Sequence, residues 1–159
     1  MRPTKQAVVT ALRDALNAEL HAVESVAAMA RDEASSAETR SEGKYDTRAT
    51  EASYLARGQA WRVAELRQLA AWYQLFDPNL PLNPPTAQVG ALVEVDGPRR
   101  ELLFIAPVGG GRVELDGVSV RVISPSSPMG EGLLELEAGD DFEMESATGP
   151  IQYSLLWLC

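Results

Sequence analysis

Five carboxylates, Asp32, Glu33, Glu38, Glu42 and Asp46, crowd one polar stretch that Ser35, Ser36, Thr39, Ser41 and Gly43 also interrupt. Glu38 with Glu42, and Glu42 with Asp46, stand four residues apart, a spacing that puts both side chains of a pair on one helix face. Carboxylate oxygens suit a hard cation. Acids between helices serve equally as solvated caps, because negative charge stabilises a helix N-terminus and keeps a loop soluble. Residue type and spacing leave both roles open.

A second stretch, Ile123-Ser124-Pro125-Ser126-Ser127-Pro128-Met129-Gly130-Glu131-Gly132-Leu133-Leu134, reads as a strand end, a proline-set bend and one short helix. Ser127 is placed as N-cap and Pro128 takes the first helical position, where its missing N–H costs nothing. Leu133, Leu134 and Leu136 are then available to a sheet. Met129 is expected at the surface, where an adaptable thioether suits a partner protein.

Other candidates carry less chemistry. His21 lies between apolar positions with no second His or Cys nearby, which fits a helix histidine better than a metal ligand. Cys159, the single cysteine, excludes an internal disulfide and any multi-cysteine metal site. Gly109-Gly110-Gly111 lacks the Gly-Lys-Ser/Thr ending of a phosphate loop and reads as a hairpin turn. Lys44, Arg48, Arg57, Arg62 and Arg67 either line a basic face or, as is commoner, solvate a helix and pair with Glu51 or Glu65.

The elements that must position these residues fall into two groups. From Thr4 to about Ala34, Val9, Leu12, Leu16, Leu20, Val23, Ala27 and Ala30 recur at steps of three or four, one face of a helix. From about Tyr45 to Phe76, Ala49, Ala52, Leu55, Val63, Leu66, Ala70, Tyr73 and Phe76 repeat the pattern, with Gln59 and Arg62 interrupting it. Two stripes joined by a polar turn predict an antiparallel helical hairpin with the acids at its tip. Each helix would run about 45 Å at 1.5 Å per residue, so the hairpin is expected to project. Pro78, Pro81, Pro84 and Pro85 then break the helical pattern. Beyond them, runs at 89–95, 101–107, 111–115, 118–123, 142–145 and 151–158 alternate or cluster Val, Ile, Leu and aromatics between Gly-containing turns, predicting an antiparallel sheet. Trp61, Trp72 and Trp157 have spacings suited to the seam and the sheet, with Trp72, Tyr73 and Phe76 packing the helix base. The expected architecture is α+β in two domains: 1–77 a coiled-coil hairpin, 78–86 a Pro-rich linker, and 87–159 an antiparallel sheet with one short helix.

Charge sharpens the choice of partner. The chain of 159 residues carries a net charge of −9, and 45% of it is hydrophobic. Residues 1–77 hold ten Arg or Lys against eleven Asp or Glu, whereas residues 78–159 hold four against twelve. Autonomous nucleic-acid binding rests on a basic patch that displaces counterions, so the acidic second half implies a protein partner and only indirect contact with RNA. No apolar run approaches the roughly 20 residues of a membrane helix and no signal peptide is apparent, so a cytoplasmic protein without a membrane partner is expected.

The motif Ser127-Pro128-Met129-Gly130, followed by Leu133-Leu134 and Gly139-Asp140, resembles the C-terminal domain of Gre-type transcript-cleavage factors. Glu42-Gly43-Lys44-Tyr45-Asp46-Thr47-Arg48 and Glu51-Ala52-Ser53-Tyr54-Leu55-Ala56 resemble a branch of that family, at the start of its second helix. The resemblance spans nearly the whole chain and implies an N-terminal antiparallel coiled coil with an FKBP-like C-terminal domain. It implies a bacterial-type, monomeric accessory factor of RNA polymerase, with no intrinsic catalysis and no cofactor of its own. Residues Ser126, Ser127, Pro128, Met129 and Gly130 would dock on the rim of the polymerase secondary channel. Tip acids Glu38, Glu42 and Asp46 would assist cleavage of backtracked transcripts, with Glu38 and Glu42 helping to hold magnesium of the polymerase active site.

In familiar family members an Asp and a Glu precede the tip tyrosine by seven and four positions. Counting back from Tyr45 gives Glu38 at the first and Ser41 at the second, with Glu42 next to it. That departure admits an alternative, a polymerase-binding regulator of the same build without cleavage stimulation. A third reading is an FKBP-fold prolyl isomerase or interaction module. An isomerase needs an aromatic-lined pocket, and this half carries only Phe104, Phe142, Tyr153 and Trp157.

Overall fold

Thr4 starts the first helix: its Oγ1 accepts the Ala7 N–H at 3.1 Å and its carbonyl accepts the Val8 N–H at 3.1 Å. In the computed structural model, residues 1–40 and 47–159 are described, without the side chains of 37–40. Helix α1 spans Lys5–Arg40 and α2 spans Arg48–Leu75. Strands β1 Leu92–Asp96, β2 Glu101–Ile105, β3 Arg112–Leu115 and β4 Val118–Ile123 follow, then helix α3 Pro128–Leu133 and strands β5 Asp141–Ser146 and β6 Gly149–Leu158. The chain forms two compact units, one of Arg13–Leu75 and one of Met1–Leu12 with Phe76–Cys159. The first turns of α1 thus belong with the sheet. Among the described residues no helix is long and apolar enough to cross a membrane.

Within the helical unit, seven residues join α1 to α2, and Arg13 near the start of α1 donates from Nε to the Tyr73 carbonyl near the end of α2 at 2.8 Å. The helices are therefore antiparallel. Helix α2 has no basic residue in its last turn, so Arg13 supplies from α1 a cation that its terminal carbonyls otherwise lack. The buried seam runs through Leu16, Ala27, Ala30 and Ala34 on α1 and Val63, Leu66, Ala70 and Tyr73 on α2. Half-buried Ala49, Ala52, Ala56 and Gln59 continue it at steps of three and four. Three expectations are corrected here. Ala56, not Leu55, faces the seam, and Gln59 occupies a seam position instead of interrupting it. Trp61 is 71% exposed and lies outside the seam, because it falls two residues before Val63 on the opposite side of α2. Arg62 pairs with Glu19 at 2.7 Å and with Glu65 at 3.7 Å, and Arg67 pairs with Glu24 at 2.8 Å. These basic residues bridge and solvate the hairpin.

In the second unit the six strands lie in the order β3-β4-β2-β1-β6-β5. The expected antiparallel sheet is only mostly so: β2 and β4 pair in parallel. The reason is the crossover after β2. The Ala106 N–H bonds to the Ile123 carbonyl, and Gly110 and Gly111 exchange bonds with Val122, so this segment runs along β4 and carries the chain past it to the edge. Gly109-Gly110-Gly111 is accordingly a crossover, not a hairpin turn. The tight turn comes next, where Asp116 and Gly117 both take positive φ, at 51° and 77°, and link β3 to β4.

One face of the sheet carries Val93, Val95, Leu103, Ile105, Ile123 and Leu155, which form a core with Met129 and Leu133 of α3. The other face is met by Phe76, edge-on to Phe104 at 6.1 Å, and by Arg2, which pairs with the buried Glu94 and lies 5.0 Å over the Trp157 ring. Cys159 joins the sheet through two backbone bonds to Leu92, each 3.0 Å. Burial raises its thiol pKa, and the Lys5 ammonium partly offsets this.

Burial pushes the Tyr73 phenol up from 10.0 to about 12. A proton held more tightly in the folded state contributes stability that is complete below pH 10 and lost as the pH rises through about 12. Denaturant titrations between pH 9 and 12 should show the helical hairpin weakening over that window, and Tyr73→Phe should flatten the decline. A Leu66→Ala change, which empties a seam position only 3% exposed, should cost about 2–5 kcal/mol in the same assay.

Candidate functional site

Between β4 and α3 the backbone must reverse within four residues, and Ser127 makes this possible. Its hydroxyl donates to the Ser124 carbonyl at 2.7 Å and accepts the Gly130 N–H at 3.0 Å. Its backbone, at φ −76° and ψ 152°, is extended, as an N-cap requires, and Pro128 follows within the first turn. The Ser127 carbonyl then accepts the Glu131 N–H at 2.8 Å, and the Leu134 N–H closes the helix on the Gly130 carbonyl at 3.0 Å. The cap and proline read from the sequence are in place.

Of the five residues expected to dock, the structure exposes Ser126 and Pro128 and half-buries Ser127. Met129 is only 5% exposed and lies in the sheet core, so the expectation of a surface methionine is corrected. It is the second residue of a helix laid against the sheet, and that places its side chain inward. Gly130 is buried as well. A Cβ there would stand 2.0 Å from the Ser124 carbonyl oxygen, so the turn closes only on a residue without a side chain. Met129 and Gly130 hold the turn against the core, and Ser126 and Pro128 form its outer surface.

The side chain of Glu38, and Ser41, Glu42, Tyr45 and Asp46 entirely, lie outside the described residues. His21 is exposed on α1. Among the described residues no group of three or more His, Cys, Asp or Glu could hold a metal ion.

One set of residues escaped the sequence reading. Arg99, Arg100, Arg112 and Arg121, the only cations of residues 78–159, all line one open groove that also reaches Ser126, Ser127 and Pro128. A signal for part of it existed. Arg112 and Arg121 are placed symmetrically about Asp116-Gly117, and a two-residue turn at that dipeptide makes them cross-strand partners.

No protein-family model matches the sequence, and no curated protein matches it. Among solved structures the chain is similar to GreA factor homolog 1 (Gfh1) of Thermus thermophilus, at 17% identity and a TM-score of 0.39, over 92% of this chain and 94% of that one. It is similar to Gfh1 of Thermus aquaticus at 17% identity and a TM-score of 0.38, over 91% and 92%. To a GreA/GreB elongation factor from Nitrosomonas europaea it shows 19% identity and a TM-score of 0.35, over 58% and 77%.

The turn should respond differently to its two fixed points. Ser127→Ala removes one cap and should lower stability by about 1 kcal/mol with the turn still formed. Gly130→Ala should displace residues 124–130, visible as large amide shift changes at Ser124 and Ser127. A Gly130→Ala protein with an unaltered amide spectrum would contradict the close packing described above.

Proposed function

We propose that this chain is a Gre-like accessory factor of RNA polymerase, docking at the rim of the secondary channel through the outer surface of the 126–130 turn. The observation that carries the reading is this turn. Its Ser-Pro-Met-Gly sequence resembles the Gre C-terminal motif, and it is built as a capped, close-packed turn of the sheet unit with Ser126 and Pro128 exposed. The order of elements supports the same reading: an antiparallel helical hairpin, then a mostly antiparallel sheet with one short helix, which is the order that the resemblance implies. A rigid turn suits docking, because little conformational freedom is lost on binding.

In this reading the activity resides in the polymerase, and the hairpin delivers the carboxylates of Glu38, Glu42 and Asp46 to its active site. Magnesium there belongs to the polymerase, and acidic oxygen donors match its preference for hard ligands. A second reading, docking without cleavage stimulation, is favoured by Ser41, which stands where the family pattern carries its second acid.

Binding of the purified protein to core RNA polymerase, in competition with an authentic Gre cleavage factor from the same organism, tests the docking. Mutually exclusive binding is expected; no detectable binding would sink the reading. RNA release from a backtracked complex then separates the two versions. If the tip assists cleavage, the Glu38→Ala, Glu42→Ala, Asp46→Ala triple variant loses stimulation and keeps binding. A parent protein that binds without stimulating cleavage assigns the regulator role.

A further inference from the structure

The arginine groove has a charge pattern that the fold does not need. Residues 78–159 carry ten acids and no cation outside it, while four arginines and two glutamates, Glu94 and Glu101, lie within it. Arg121 is matched by Glu101, with Nη2 at 3.0 Å and Nε at 3.1 Å from the same oxygen. Arg100 lies 3.9 Å from Glu94, which Arg2 already neutralises. Arg99 and Arg112 are both exposed and have no carboxylate partner among the described residues. Arg112 moreover stands directly across the β3–β4 ladder from Arg121. Like charges so paired destabilise a sheet, so folding alone gives no reason for this arrangement.

We propose that the groove seats an acidic, partly apolar peptide segment of the protein on which the neighbouring turn docks; the proposal rests on the docking reading above. The groove holds about 1470 Å³, more than the roughly 300–1,000 Å³ of common small-molecule sites, and it is lined by apolar Pro107, Val108, Met144 and Tyr153 as well as by the arginines. Guanidinium forks match carboxylates two bonds at a time. Nucleic acid fits less well. It demands neutralisation of several successive phosphates, and two unpaired cations within a field of ten acids do not provide that. Base stacking also requires aromatic platforms, whereas Tyr153 is the groove's one aromatic residue and is buried. The groove's continuity with Ser126 and Pro128 places the segment beside the docking turn.

The test uses the whole protein, a fluorescein-labelled decapeptide of alternating Glu and Leu, and a labelled ten-nucleotide oligodeoxythymidine, followed by anisotropy at low and moderate salt. The parent protein should bind the peptide more tightly than the oligonucleotide. Arg99→Gln with Arg112→Gln should weaken the peptide about tenfold or more, while Arg31→Gln on α1, an equal change of charge per site, should leave it unaltered. Both groove positions are exposed and Arg112→Gln relieves the repulsion from Arg121, so the melting temperature should hold or rise. The inference is overturned if the parent binds no peptide, if the double variant binds it as tightly as the parent, or if the oligonucleotide binds with the same arginine dependence. Core polymerase capture is read on the same proteins. Capture by the parent and equally by the double variant defeats the inference and leaves the docking reading standing. Arginine-dependent peptide binding without any polymerase capture defeats the docking reading and leaves the groove as an acidic-peptide site.

Discussion

A helix of six residues cannot cover a sheet of six strands, and the sheet unit is organised around that mismatch. Helix α3 is about 9 Å long, whereas six strands at about 4.8 Å spacing extend about 24 Å. Met129 and Leu133 therefore close the core over the part of the face that carries Val93, Leu103 and Leu155. Towards β4 and β3 the same face runs into Arg121, Arg112 and Glu101, residues that can stand in water. The uncovered end of the sheet is thus polar from its first residues, and the groove is where α3 stops.

Seating α3 sets the geometry of the turn that precedes it. With Gly130 packed on the Ser124 carbonyl and Ser127 hydrogen-bonded in both directions, residues 124–130 have little room to adjust. A surface of two exposed residues keeps a fixed shape only if the backbone beneath it is rigid. Burial of Met129 and Gly130 supplies that rigidity, so residues that look like contact residues in the sequence act through packing.

The hairpin is held by two different means along its length. Near its base the seam buries Leu16, Leu66, Val63 and Tyr73, each contributing on the order of 1.5–3 kcal/mol for a large apolar side chain. Farther out the seam is Ala27, Ala30 and Ala34 against half-buried Ala49, Ala52 and Ala56, which bury little more than a methyl each. Alanine contributes there chiefly through its helix propensity and the close approach it permits. The pairs Arg62 with Glu19 and Arg67 with Glu24 are exposed and add little.

Local order determined much of this protein. Steps of three and four marked both helices, alternation and Gly-containing turns marked the strands, and Ser127-Pro128 marked the start of α3, because capping, periodicity and proline geometry act within a few residues of chain. What lay beyond that range was decided by the tertiary structure. Whether β2 pairs with β3 or β4 depends on a crossover whose hydrogen bonds reach Val122 and Ile123, well beyond the few residues over which local preferences act. Which side of α3 carries Met129 depends on where the sheet lies. Leu55 and Ala56 are adjacent, and only the partner helix selects between them. The four arginines are scattered from 99 to 121 and become one surface only when β1, β2, β3 and β4 are side by side. Sequence specified what each segment prefers by itself; the fold decided which segments meet, because burial and charge proximity are properties of positions in space.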